Sequence, residues 1–263
     1  MYTYVAQGLH PSVGFLVAWG YAFAEPLGAP LLYLIFGNVV ATTLSTSLGW
    51  SADLWWIWAL VAAVSVLALG YYGITISTGA GTALGLFEIV VFAALALWLV
   101  IQAGGDNSFA VFTTGEARVE GFEGLGGVFA ATNFSVLAFI GFEAAAPLAE
   151  EARDPKRTIR QAVVFSCVGI GLFYVFTTYA ATVYFGPGRM ESFAGFGGGN
   201  PWDGLARQAW GIGWVLVFLA VANSAIANAN AATNAATRTW FAMGRIRLLP
   251  TALENVHPNG SRR

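Results

Sequence analysis

The sequence predicts an all-α transmembrane protein, and three observations carry that prediction. Hydrophobic residues make up 57% of the 263 positions and charged residues only 10%. A soluble domain carries about 25% charged residues because its surface faces water, so most of this surface faces something else. Second, the mean hydropathy is +0.66, and the few charges fall between apolar runs long enough to cross a bilayer, about 20 residues for a helix. Third, lysine and arginine collect in two places that lie on the same side when the runs are counted as crossings. A soluble chain of this length would make one or two domains, whereas in lipid it allows about six spans joined by short loops.

The six expected spans form a single membrane domain over residues 1–263. The first covers residues 13–44 and contains Glu25-Pro26 and Pro30. It is too long for one straight crossing and reads as a tilted or kinked helix. The second covers 54–72, opened by Asp53, and the third 82–101, with Glu88 inside it. A polar segment with Asp106, Glu116, Glu120 and Glu123 precedes the fourth, 125–149, which is interrupted at Phe139-Ile-Gly-Phe-Glu143. The fifth covers 159–185 and the sixth 212–243. Between them Pro201–Trp210 reads as a short amphipathic helix lying on the membrane surface. Trp50, Trp55, Trp56 and Trp58 fit an aromatic belt at the outer interface.

Orientation follows from Lys and Arg, which favour the cytoplasmic side. Arg153, Lys156, Arg157 and Arg160 lie between spans four and five, and Arg238, Arg245, Arg247, Arg262 and Arg263 are assigned to the end of span six and beyond. Both groups are therefore expected in the cytoplasm, with both ends of the chain on the cytoplasmic side of a cell (plasma or inner) membrane.

Several function classes are disfavoured. A net charge of −2 indicates neither a nucleic-acid footprint nor a basic lipid-binding surface. Cys167 is the single cysteine, and His10 and His257 lie at opposite ends, so an internal disulfide and a zinc site are not expected. The first residues do not read as a secretory signal. Gly197-Gly-Gly-Asn200 lacks the lysine of a phosphate-cradling loop, and no serine–histidine arrangement points to a hydrolase. No cofactor, metal or enzymatic activity is expected.

Ionisable groups inside a bilayer cost several kcal/mol unless they face protein or water, so each is a functional candidate. Three are found: Glu25, Glu88 and Glu143. Pro26 removes a backbone donor and leaves a carbonyl free, which suits the wall of a cavity beside Glu25. Glu88, near the start of its span as bounded above, reads as a structural hydrogen-bonding residue. Gly141 permits the helix to unwind before Glu143, and unwound backbone at membrane depth is tolerated where it lines a cavity. In span six, Asn230 and Asn234 share a face and Asn228 points elsewhere. The bland role of these amides is helix packing; at least one face is expected to meet a cavity, and Asn228 is the candidate for substrate binding.

The stretch Phe139-Ile-Gly-Phe-Glu-Ala-Ala-Ala-Pro-Leu-Ala-Glu-Glu-Ala-Arg-Asp-Pro-Lys-Arg-Thr158 resembles the signature of the amino acid–polyamine–organocation (APC) family of permeases. Tyr2-Thr-Tyr-Val-Ala through Gly14-Phe15 is similar to the entry of that family's third helix, and Asn234-Ala-Ala-Thr-Arg238 through Pro258 to its eighth helix and following loop. Ile159-Arg160-Gln161 departs from the family's usual Ile-Pro-Arg. The resemblance implies a five-plus-five inverted-repeat fold of the APC/LeuT type. The spans correspond to helices three to eight, so helices one, two and nine onward are expected to be absent and the chain to be incomplete at both ends.

The resemblance further implies a secondary transporter of amino acids or related amines working by alternating access, with proton coupling or exchange. Ile140, Gly141 and Phe142 would offer backbone to a substrate ammonium, Phe139 would stack or gate, and Ala24 and Glu25 would face the pocket. Glu143, and Glu25 with it, would serve gating or proton coupling. The partners so implied are a small amino acid or amine, possibly a proton, and the lipid bilayer, with no nucleic acid and no indicated oligomeric state. Three other readings stand beside it. They are a channel-like pore, an intramembrane enzyme using Glu25 and Glu88 as an acid/base pair, and a truncated relic that transports nothing.

Overall fold

The computed structural model describes residues 2–72, 74–116, 120–139, 141 and 154–254. Among them it is all-α, with no strand. In lipid no water satisfies the backbone, so an apolar run must close its hydrogen bonds within itself, as a helix does. The elements are α1 (Tyr2–Gly8), α2 (Pro11–Leu48), α3 (Trp55–Tyr72), α4 (Ile74–Ala103), α5 (Gly124–Ala138), α6 (Pro155–Phe185), the single turn α7 (Phe196–Gly199), α8 (Pro201–Trp210) and α9 (Trp214–Arg245). Five segments are long and apolar enough to cross a membrane: 11–48, 52–72, 79–106, 157–185 and 201–245. Helix α5, with 15 residues, rises about 22 Å at 1.5 Å per residue, short of the ~30 Å hydrocarbon core. The remainder of the expected fourth span, residues 142–149, lies outside the described residues.

Helix α9 is the spine, since α2 and α4 both pack along it and α3 closes against α2. One core gathers Leu95 and Leu99 of α4, Ala180 of α6, Leu205 of α8 and Val217 of α9, none of them exposed. A second joins Phe36, Val40, Ala62 and Ala225, and a third Ala29, Val66 and Ala229. The α2–α9 seam is built of small residues, which let backbones approach closely without a hydrophobic driving force from water. A Cβ added to Gly28 would sit 3.4 Å from that of Ala232.

Pro26 and Pro30 lie inside α2, a single helix of 38 residues from an N-cap at His10. Pro26 does remove the amide that would bond the Ala22 carbonyl. That carbonyl instead accepts the indole N–H of Trp240 at 2.8 Å, so α9 closes the gap that was expected to line a cavity. The apolar face of helix α8 packs into the protein. Leu205 and Ala206 are wholly buried in the protein core, and Asp203 beside them is 3% exposed. Arg207 ties α8 down, with Nε 2.7 Å from Asp203 Oδ2, Nη2 donating to Ser47 Oγ at 2.8 Å and the guanidinium 3.6 Å from the Trp214 ring centre. Finally, Trp58 packs against the second core, while Trp50, Trp55 and Trp56 remain exposed.

Where α2 meets α3, Gly37 is the point of contact. A Cβ there would lie 2.5 Å from the Trp55 carbonyl oxygen and 2.9 Å from the Ala59 amide nitrogen. Backbone atoms do not rotate away, so the two helices must part. Gly37→Ala is expected to destabilise the protein by about 1–3 kcal/mol, the usual range for overpacking. A lowered thermal midpoint in detergent is the readout; an unchanged midpoint would mean the helices separate without loss.

Candidate functional site

The site is built around the end of α5. Its last turn is tight, Phe139 N–H bonding the Val136 carbonyl at 3.1 Å in the i to i−3 pattern of a helix winding down. Two residues on, Gly141 has φ +108°, outside the helical region and open to glycine because it carries no Cβ. Helix α5 therefore ends before Gly141. Phe139 swings onto α6, meeting Tyr174 edge to face at 5.8 Å, and its ring lies where a Cβ on Gly171 would approach to 3.3 Å. The absence of a side chain at Gly171 makes the seat for that ring. Ile140, Phe142 and Glu143 lie outside the described residues.

Tyr174 leads from the end of α5 to a carboxylate. It lies within electrostatic reach of Glu88 on α4, and Ser224 of α9 stands beside the Glu88 side chain. One turn along α9, Asn228 Nδ2 donates to the Ser224 carbonyl and hydroxyl at 2.9 and 3.0 Å. Asn223 Nδ2 donates to the Leu84 carbonyl at 2.9 Å, fixing α4 and α9 one turn from Glu88. Polar side chains of α9 thus line the stretch facing the half-buried Glu88, with Tyr174 of α6 within its electrostatic reach.

Glu88 does not sit near the start of its helix, as expected. Helix α4 begins at Ile74 and ends at Ala103, which puts Glu88 at its middle. No helix terminus is close enough to soften the cost of a charge, since that effect fades within the first turn. Of the candidate residues, Phe139 meets Tyr174 and Asn228 is bonded to Ser224. Tyr174 and Ser224 themselves were not singled out from sequence. Tyr174 reads as one more aromatic in an apolar run, and Ser224 is distinguished only by standing four residues before Asn228.

Ala24 and Glu25 lie elsewhere. Helices α2 and α9 run antiparallel, Ala22 meeting Trp240 and Gly28 facing Ala232, so Glu25 lies level with the segment of α9 between Ala232 and Trp240. Glu88 is level with Ser224, at least eight residues away along α9, or about 12 Å at 1.5 Å per residue. A proton-sharing carboxylate pair needs direct or one-water reach, so Glu25 and Glu88 do not form the acid/base pair of an intramembrane enzyme. Glu25 is half-buried and Ala24 exposed. Arg238 falls on this same segment inside α9 rather than beyond it. Among the described residues no three His, Cys, Asp or Glu side chains are grouped to hold a metal.

The pattern of the amino acid permease family matches residues 1–261. The chain belongs to that family. Similar proteins include an uncharacterized transporter of Mycobacterium tuberculosis, 28% identical over 98% of this chain and 54% of its own length. The low-affinity putrescine importer PlaP of Escherichia coli is 24% identical over 98% of this chain and 55% of its own. The branched-chain amino acid permease BcaP of Bacillus subtilis is 31% identical over 51% of this chain and 28% of its own. The chain spans about half the length of the first two relatives. This permease chain is accordingly a multi-pass, all-α membrane protein, and the relatives named are transporters by description.

Proposed function

We propose that the chain supplies the substrate-handling core of a secondary transporter of amino acids or related amines, working by alternating access with proton coupling or exchange. The observation that carries this reading is the half-buried Glu88 in the middle of α4, with Ser224 of α9 beside it and Tyr174 of α6 within electrostatic reach. A half-buried carboxylate at membrane depth offers charge opposite to an ammonium group, and backbone carbonyls where a helix ends, as α5 does before Gly141, can accept from it. An acid at this depth suits a cationic amine or a carried proton, and an importer of putrescine among the relatives supports including amines. Glu25 and Glu143 are retained as candidates for gating or coupling, Ile140, Gly141 and Phe142 for backbone contact with the ammonium, and Ala24 for the pocket wall. The clustering of Lys and Arg supports placing both ends of the chain in the cytoplasm.

The test is uptake of radiolabelled leucine, valine and putrescine by the full-length permease in liposomes, with and without an imposed proton gradient. Saturable, gradient-dependent uptake with counterflow is expected, and non-saturating flux would point to a pore instead. Glu143→Gln and Glu25→Gln are each expected to lower uptake at least tenfold or to abolish its response to the gradient. Unchanged transport in both would remove these two carboxylates from the mechanism.

A further inference from the structure

Two glycines stand inside α6, Gly169 and Gly171. Glycine in a helix interior is less favourable than alanine, and neither residue has the positive φ that would require it. Their surroundings set them apart. A Cβ added to Gly169 would meet nothing within 4 Å. One added to Gly171 would lie 3.3 Å from Cζ and 3.4 Å from Cε1 of Phe139, closer than the ~3.5–4.0 Å at which carbon atoms attract best. Beyond α6 itself, no other atom of the described residues comes within 4 Å of that point. The bare backbone at Gly171 therefore serves this one ring.

That ring also holds the end of α5. Among the described residues α5 packs chiefly against the turn at residues 114–116 rather than along a long helix. At its other end Phe139 lies over Gly171 and meets Tyr174 edge to face. Gly171 and Tyr174 are three residues apart on α6 and share a stripe, so one helix face supplies both contacts. Two residues after Phe139 the chain has left the helical region, with Gly141 at φ +108°. Backbone beyond a helix end has no ladder of hydrogen bonds to fix it, so the side chain anchored just before it sets where it starts. Ile140, Gly141 and Phe142, offered above as backbone partners of a substrate ammonium, follow Phe139 directly.

We propose that Gly171 is a positioning residue for substrate binding. By carrying no side chain it seats Phe139 on α6, and the seated ring places the backbone that receives the ammonium group. This role rests on the transport reading above. Filling the seat displaces the ring and the backbone behind it, so substrate binds less well while later steps of the cycle are touched less. KM then rises more than the maximal rate falls.

The experiment measures uptake kinetics of leucine and putrescine, with thermal midpoints, on variants of the full-length permease. Gly171→Val is expected to raise KM roughly two- to tenfold, the worth of one aromatic pair, and Gly171→Ala to raise it less. Gly169→Ala, two residues away with open space around it, should leave KM unchanged. Phe139→Leu removes Cε1 and Cζ, so in that background Gly171→Val should add no further rise. Should Gly171→Val fail to fold, Gly171→Ala carries the test, since helix propensity favours alanine and a raised KM then reports the seat. A KM unmoved by filling position 171, a rise matched by Gly169→Ala, or one that persists in full beside Phe139→Leu would overturn the proposal. Absence of uptake by the unaltered permease would defeat the transport reading and this role together, whereas uptake with an unmoved KM defeats this role alone.

Discussion

Replacing Glu88 by glutamine in the full-length permease is expected to cut initial uptake about tenfold or more while leaving the thermal midpoint unchanged. Glutamine keeps the length, the volume and a carbonyl acceptor, and the Asn223 to Leu84 hydrogen bond still ties α4 to α9. What disappears is the negative charge. A hydrogen bond to a charged partner contributes about 1.5–3 kcal/mol, a factor of roughly 10–100 in affinity for an ammonium group held there. If the charge binds substrate, the KM for amines rises; if it carries a proton, the response to an imposed pH gradient is lost while exchange persists. Glu88→Leu extends the test, because it removes the acceptor and leaves Ser224 beside an apolar side chain, so stability should fall along with uptake. Full uptake by the glutamine variant would show that the charge is not needed, and Glu88 would then be a structural residue.

The reading of Glu88 as a structural residue near the start of its span shows what patterning conveys and what it omits. The long helices are legible because their apolar runs have no alternative in lipid, and α3, α6 and α9 begin and end within four residues of their expected positions. Helix α4 is different at its start, where Thr75, Ser77, Thr78, Gly79 and Gly81 read as a polar approach to the span. A helix satisfies its own backbone and accepts such residues readily, so the structure starts at Ile74. Moving that boundary carries Glu88 from an end to the middle, where a charge has no helix terminus to soften it. The end of α5 ahead of Gly141 was legible because glycine permits a helix to unwind. The seat for Phe139 was not, since it needs Gly171 and Tyr174, more than thirty residues on and brought near by the fold. The amphipathic character of α8 was equally plain, but periodicity alone does not say whether an apolar face meets lipid or protein. Here the burial of Leu205 and the three contacts of Arg207 decide for protein.

Trp240→Phe is expected to destabilise the permease by about 1–3 kcal/mol, the cost of leaving a buried acceptor unsatisfied. Ala22 is 4% exposed, and its carbonyl has lost the usual amide partner because position 26 is proline. The indole N–H at 2.8 Å replaces that partner from a residue 218 positions away, a pairing no local pattern reveals. A second substitution separates the hydrogen bond from the change in ring size. Pro26→Ala restores an amide that donates to Ala22 along the helix, so in that background the carbonyl no longer depends on Trp240. The cost of Trp240→Phe should then shrink, with a coupling energy of about 1–2 kcal/mol, within the range for residues that share a partner. The ring-volume term appears in both backgrounds and cancels. Denaturation midpoints of the four proteins measure the cycle. Additive effects would mean that the carbonyl finds another donor when the indole is gone, and that α2 and α9 are held by their small residues alone.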